Sequence, residues 1–117
     1  MKSFKKTHTF DERKKESTRI REKYSDRYPI IVERKSGIKD LEDLQKKKYL
    51  VPNDITVGQL CYIVRRRLSL SAEKALFLFV NDSILPASSE LISNLYENEK
   101  NKDGFLYVTY CSENTFG

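Results

Sequence analysis

Val57, Leu60, Cys61, Val64 and Leu68 fall at i, i+3, i+4, i+7 and i+11, the repeat of one face of a helix. Thr56, with Gln59 three residues on, forms a capping pair at its start, and this segment is expected to be the main core helix. Elsewhere the period shortens to two. In "RYPIIVERK" the β-branched Ile30, Ile31 and Val32 favour a strand, with Ile30 and Val32 pointing one way and Ile31 and Glu33 the other. "KKKYLVP" predicts a second, short strand that Pro52 ends, and such a strand belongs at a sheet edge because proline cannot donate to a ladder.

"ALFLFV" predicts a buried strand closed by the turn residues Asn81 and Asp82. Leu91, Ile92, Leu95 and Tyr96 predict a short helix started by Ser88 or Ser89, and Gly104 precedes a last strand, "FLYVTY". Toward the N-terminus, Thr9 and Glu12 form another capping box, opening a helix that runs to about Tyr24. Phe10, Ile20 and Tyr24 lie near one face of it, a thin stripe suited to docking on a body, and Ser3 to His8 adds a short helical turn. Strands interrupted by one long helix read as α+β, a sheet with a helix packed across it.

Composition narrows the function classes. At 117 residues, with 38% hydrophobic and 33% charged residues, the chain is expected to form one domain. No apolar run has membrane-spanning length and the first 25 residues lack the apolar centre of a signal peptide, so a cytoplasmic protein is expected. Cys61 and Cys111 have no paired spacing and His8 is the single histidine, so neither disulfide, metal site nor cofactor is expected. No paired carboxylates, Ser/His/Asp set or phosphate-binding glycine loop points to an enzyme, and Cys61 reads as a small hydrophobe on the core helix.

Charge is unevenly spread. Residues 1–25 hold nine Lys/Arg and four Asp/Glu, net +5, whereas residues 26–117 hold thirteen of each. The basic segment reads first as the wet face of a helix and second as an arm for RNA, tubulin or anionic lipid.

The order of elements, with "IREKYSDRYPIIVE", "KKKYLVPNDITVGQL", "RRRLSLSAEKALFLFVN", "LYENEKNKDGFLYVTY" and the terminal Phe116-Gly117, resembles the ubiquitin-like autophagy modifiers of the GABARAP and light-chain-three type nearly end to end. The resemblance implies a ubiquitin-like β-grasp body over residues 26–112, a two-helix N-terminal extension over 1–25 and a conjugation tail over 113–117. It also implies that Gly117 is activated, passed as a thioester through activating and conjugating enzymes, and joined to phosphatidylethanolamine. The protein would then be anchored on autophagosomes. Glycine suits this role because it has no Cβ to hinder attack or entry to a narrow channel. Many members are made with residues beyond the glycine that a cysteine protease removes. The same protease class would deconjugate the lipid. Processed and gene-encoded ends both stay open here.

The resemblance further implies capture of cargo receptors and adaptors that carry an aromatic-x-x-aliphatic motif. Glu16, Ile20, Pro29, Ile31, Lys48, Leu50 and Phe105 would take the aromatic residue. Tyr49, Val51, Pro52, Ile55, Leu60 and Ile63 would take the aliphatic one, and Arg27, Lys46 and Arg67 would form a charged rim. Ordinary core burial competes with this reading, most evenly at Leu60 and Val51. Tyr49→Ala and Leu50→Ala are expected to weaken peptide binding and leave the fold intact. Leu60 and Cys61 stand where mammalian members carry bulkier aromatics, which leaves the aliphatic pocket's selectivity open. Tubulin is an additional partner of the basic arm, and no specific nucleic acid is expected.

Overall fold

The computed structural model describes residues 2–112. In chain order it contains α1 (Phe4–Thr7), α2 (Phe10–Lys23), β1 (Arg27–Arg34), β2 (Lys48–Pro52), α3 (Val57–Leu68), β3 (Phe77–Val80), α4 (Ile92–Glu99) and β4 (Leu106–Cys111). The sheet order is β2-β1-β4-β3, with β1 and β4 parallel at the centre and each outer strand antiparallel to its neighbour. This is the α+β architecture expected from the element order and the β-grasp arrangement that the resemblance implies. Both capping boxes form as well, Thr9 with Glu12 at α2 and Thr56 with Gln59 at α3.

Each face of the sheet carries its own apolar cluster. Ile30 and Val32 join Tyr49, Val51, Leu60 and Val64 in the main core under α3 and α4. Ile31 points the other way, where Phe105 and Tyr107 pack with Phe4 of α1 and Ile20 of α2. Burial on both faces explains why Ile30, Ile31 and Val32 are consecutive hydrophobes rather than an alternating strand.

Four details depart from the sequence reading. "ALFLFV" is not a buried strand throughout: β3 begins at Phe77 and alternates, with Leu78 and Val80 buried and Phe77 and Phe79 half-buried, because β3 is the second sheet edge. Neither Ser88 nor Ser89 starts α4; Leu91 is its N-cap and makes no side-chain capping bond. The segment instead serves α3, whose first amides at Val57 and Gly58 donate to the carbonyls of Glu90 and Ser88. On α2, Phe10 and Tyr24 are exposed and the buried residues are Ser17 and Ile20, so a small polar residue seats the helix. Cys61 is only partly buried, at the margin of the core.

Candidate functional site

β2 pairs only with β1, so one long side of it is a free edge. The register sets Tyr28 against Val51, Pro29 against Leu50, Ile30 against Tyr49 and Ile31 against Lys48. Side chains alternate along a strand, so Lys48 and Leu50 stand on one face of this edge and Tyr49 and Val51 on the other. The two expected pockets are therefore separated by the strand itself.

The aromatic-side residues are brought together. Ile20, Ile31, Phe105 and Leu50 share one cluster, Pro29 is fully buried beside them, and Lys48 Nζ lies 2.5 Å from Glu16 Oε2, joining β2 to α2. Sequence reasoning missed the contribution of α1. Phe4 is buried in the same cluster, its ring centroid 5.2 Å from that of Phe105 in an edge contact and 4.4 Å from His8 in a stack. Its amide donates to Glu33 Oε2 at 2.8 Å, and Lys47 Nζ binds both that oxygen and the Lys2 carbonyl. A depression of about 380 Å³ opens between these residues, lined by Phe4, His8, Glu16, Gln45, Lys47 and Lys48. The Ser3 cap that starts α1 was the available signal, since it places Phe4 at the first helical position.

The aliphatic-side residues divide. Tyr49, Val51 and Leu60 are buried in the main core, Ile55 and Ile63 pack partly buried against it, and Pro52 is exposed. Ile55 and Ile63 also line a depression of about 460 Å³ that Tyr62, Gln59 and Ser88 complete. An adjoining depression of about 450 Å³, walled by Cys61, Leu76, Phe77, Leu85 and Pro86 and sharing Tyr62 and Ser88 with the first, lies between α3 and β3.

The rim cations bear on the same strand. Lys46 Nζ and Arg67 Cζ stand 5.2 Å and 5.6 Å from the Tyr49 ring centroid, and Arg27 Nη1 reaches the Leu50 carbonyl at 3.5 Å. Burial raises the Tyr49 phenol above its ordinary pKa, opposed by the Arg67 charge, and its hydroxyl has no hydrogen-bond partner among the described residues. Burial likewise raises the Cys61 thiol, so it is a poor nucleophile.

α2 is fastened independently of this groove. Arg13 Nε lies 3.1 Å from the fully buried Asp103 carboxylate, and Ser17 Oγ donates to the Asp103 carbonyl at 2.5 Å. Gly104, at φ +90°, lets this contact form, because a Cβ there would sit 2.2 Å from Ser17 Oγ. Gly117 lies outside the described residues; the last described residue, Ser112, is held at the end of β4. Among the described residues no helix is long and apolar enough to cross a membrane, and no His/Cys/Asp/Glu group is arranged to hold a metal.

Residues 12–117 match the family model described as autophagy protein Atg8, ubiquitin-like. The chain is 56% identical to autophagy-related protein 8e of Arabidopsis thaliana over 114 residues, covering 97% of this chain and 92% of that protein. It is 54% identical to autophagy-related protein 8 of Mycosarcoma maydis, covering 98% and 96%. The crystal structure of Trypanosoma brucei ATG8 superposes with a TM-score of 0.89 at 43% identity, covering 100% of this chain and 99% of that one. A two-faced strand edge on a β-grasp sheet, in a chain with these relatives over nearly its whole length, makes the protein a member of the Atg8 family of ubiquitin-like autophagy proteins.

Proposed function

We propose that the protein is a modifier whose C-terminal Gly117 is conjugated to phosphatidylethanolamine and whose β2 edge recruits cargo receptors and adaptors with an aromatic-x-x-aliphatic motif. In this role the chain is the group transferred, not a catalyst. Residues 1–25 act as the helical extension, 26–112 as the body and 113–117 as the conjugation tail. A carboxylate oxygen of Gly117 attacks the α-phosphorus of ATP and displaces pyrophosphate. A cysteine thiolate of the activating enzyme then attacks the acyl carbon; the C–S bond forms, the C–O bond breaks and AMP leaves. The acyl group moves to a conjugating-enzyme cysteine by thioester exchange. The lipid amine finally attacks it, forming an amide and releasing thiolate and a proton. Two acyl chains then suffice for stable membrane anchoring, at about 0.8 kcal/mol per buried CH₂. A cysteine protease of the family reverses this by hydrolysing the amide.

The observation that carries the peptide-binding half is the alternation at β2, with Lys48 and Leu50 on one face and Tyr49 and Val51 on the other. A partner strand paired along this edge sends alternate side chains to either side of it. Its aromatic residue seats among Ile20, Ile31, Leu50 and Phe105, and its aliphatic residue against Ile55 and Ile63. Lys46, Arg27 and Arg67 favour acidic flanks, acting on encounter rate and register.

The test is intact mass after incubation with ATP, the family's activating and conjugating enzymes and phosphatidylethanolamine liposomes. One added lipid on the wild type and none on Gly117→Ala supports conjugation. No adduct on the wild type, with enzymes active on another member, rejects it.

A further inference from the structure

The end of β4 is gripped by the loop between β1 and β2. Tyr110 lies in β4 and Ser112 follows the strand's last residue, Cys111. Both donate their hydroxyls into that loop, Tyr110 to the Glu42 carbonyl and Ser112 Oγ to Asp40 Oδ2 at 2.7 Å. Asp40 Oδ2 also accepts from Lys74 Nζ at 3.0 Å, and the Ser112 and Lys74 bonds hold its carboxyl below the ordinary value. Lys74 is braced in turn by α3, because Arg65 Nη1 lies 2.6 Å from the Lys74 carbonyl and Arg65 Nη2 lies 2.7 Å from the Ser71 carbonyl.

Ser112 is 1% exposed, and none of these residues belongs to the peptide groove. The arrangement ties Ser112, the last described residue, to two loops and, through Lys74, to α3. Gly117 lies five positions beyond Ser112 in the sequence, which bounds their separation at about 17 Å.

We propose that Asp40 and Ser112 form a positioning clamp for acyl transfer, fixing the point from which Gly117 is presented to the activating enzyme. This rests on the conjugation reading. Acyl transfer depends on proximity and orientation, so a shift in the point from which the acyl group is presented lowers the rate. Without the Asp40 bond the chain is still held at Cys111, buried and paired with Phe77, so what is lost is the fixed orientation of Ser112 itself.

The test is single-turnover thioester formation with ATP and the family's activating enzyme on the full chain. The variants are Ser112→Ala, Asp40→Ala and, as the conservative rescue, Asp40→Glu. In each, KM for the chain and affinity for an aromatic-x-x-aliphatic peptide are measured in parallel. The expected result is a rate at saturation about threefold to tenfold lower in both alanine variants, with KM and peptide affinity within about twofold of wild type and recovery in Asp40→Glu. Wild-type rates in both alanine variants overturn the clamp. So does a slowdown matched by equal loss of peptide affinity, which would mean general loosening of the fold. If Asp40→Ala fails to fold, Ser112→Ala, which removes one hydroxyl, decides the matter alone. A wild-type chain that forms no thioester removes the conjugation reading and the clamp with it, whereas wild-type activity with unaffected variants removes the clamp only.

Discussion

The Tyr107 hydroxyl donates to Asp103 Oδ2 at 2.5 Å, and Arg13 Nε approaches the same oxygen at 3.1 Å from α2. The other carboxylate oxygen accepts the Phe105 amide at 2.9 Å, so Asp103 is held on both sides. A fully buried carboxylate without its cation is costly. Arg13→Ala is expected to destabilise the protein by about 3 kcal/mol, read from the midpoint of urea unfolding. A loss below about 1 kcal/mol would mean that Tyr107 and the backbone amide satisfy Asp103 unaided.

Gly104 and Ser17 form the second fastening of α2, with a backbone φ of +90° and no space for a Cβ. Gly104→Ala is expected to cost about 3 kcal/mol, combining the clash with left-handed backbone strain of about 1 to 2 kcal/mol. Ser17→Gly in the same chain removes the atoms in the way and leaves only the strain. A double-mutant cycle should therefore return a coupling of about 1 kcal/mol or more, and additivity would show that the helix shifts to make room.

The fold was legible where a residue's local chemistry and its tertiary role agreed. Both capping boxes, the β2 edge ended by Pro52 and the opposed faces of Ile30 and Ile31 follow from spacing alone. Sequence reading failed where a long-range partner decided the outcome. Ser88 looks like a helix start, but its carbonyl is taken by the Gly58 amide of α3. Phe10 looks like the docking residue of α2, but the contact is made by Ser17 against a glycine eighty-seven positions away. The basic N-terminus is also less available to anionic partners than its composition suggests. Arg13 is paired with Asp103, and Arg21 stacks on Tyr28 and binds two carbonyls, leaving Lys2, Lys5, Lys6, Lys14, Lys15, Arg19 and Lys23 on the exposed surface.

The proposed peptide site separates into a residue that can be tested cleanly and one that cannot. Leu50 is half-buried on the aromatic side of β2, whereas Tyr49 is 6% exposed within the main core, so the expectation that Tyr49→Ala spares the fold is withdrawn. Leu50→Ala is expected to weaken an aromatic-x-x-aliphatic peptide by about tenfold in calorimetric titration, with a stability loss near 1 kcal/mol. Tyr49→Ala is expected to lose about 3 kcal/mol of stability, so its binding loss alone assigns no contact. Unchanged affinity in Leu50→Ala would remove that residue from the pocket.

Stability should fall on the alkaline side through the buried tyrosines. Burial pushes the Tyr110 hydroxyl from 10.0 up to about 12, and burial with the adjacent Asp103 carboxylate raises Tyr107 further. A folded-state pKa above the unfolded value gives stability that is full below the unfolded value and lost as pH rises through the folded one. For Tyr110 that window runs from pH 10.0 to about 12, and its contribution is at most about 3 kcal/mol. Urea unfolding followed from about pH 9 to about pH 12 should show a declining midpoint, with a shallower decline in Tyr110→Phe, which has no proton to lose. The residual slope in that variant is shared by Tyr107, Tyr49 and Tyr96, whose hydroxyls burial also raises, and should shrink again in Tyr107→Phe. Parallel declines in wild type and Tyr110→Phe would mean that the Tyr110 hydroxyl ionises alike in the folded and unfolded chains, and that its bond to the Glu42 carbonyl does not hold its proton.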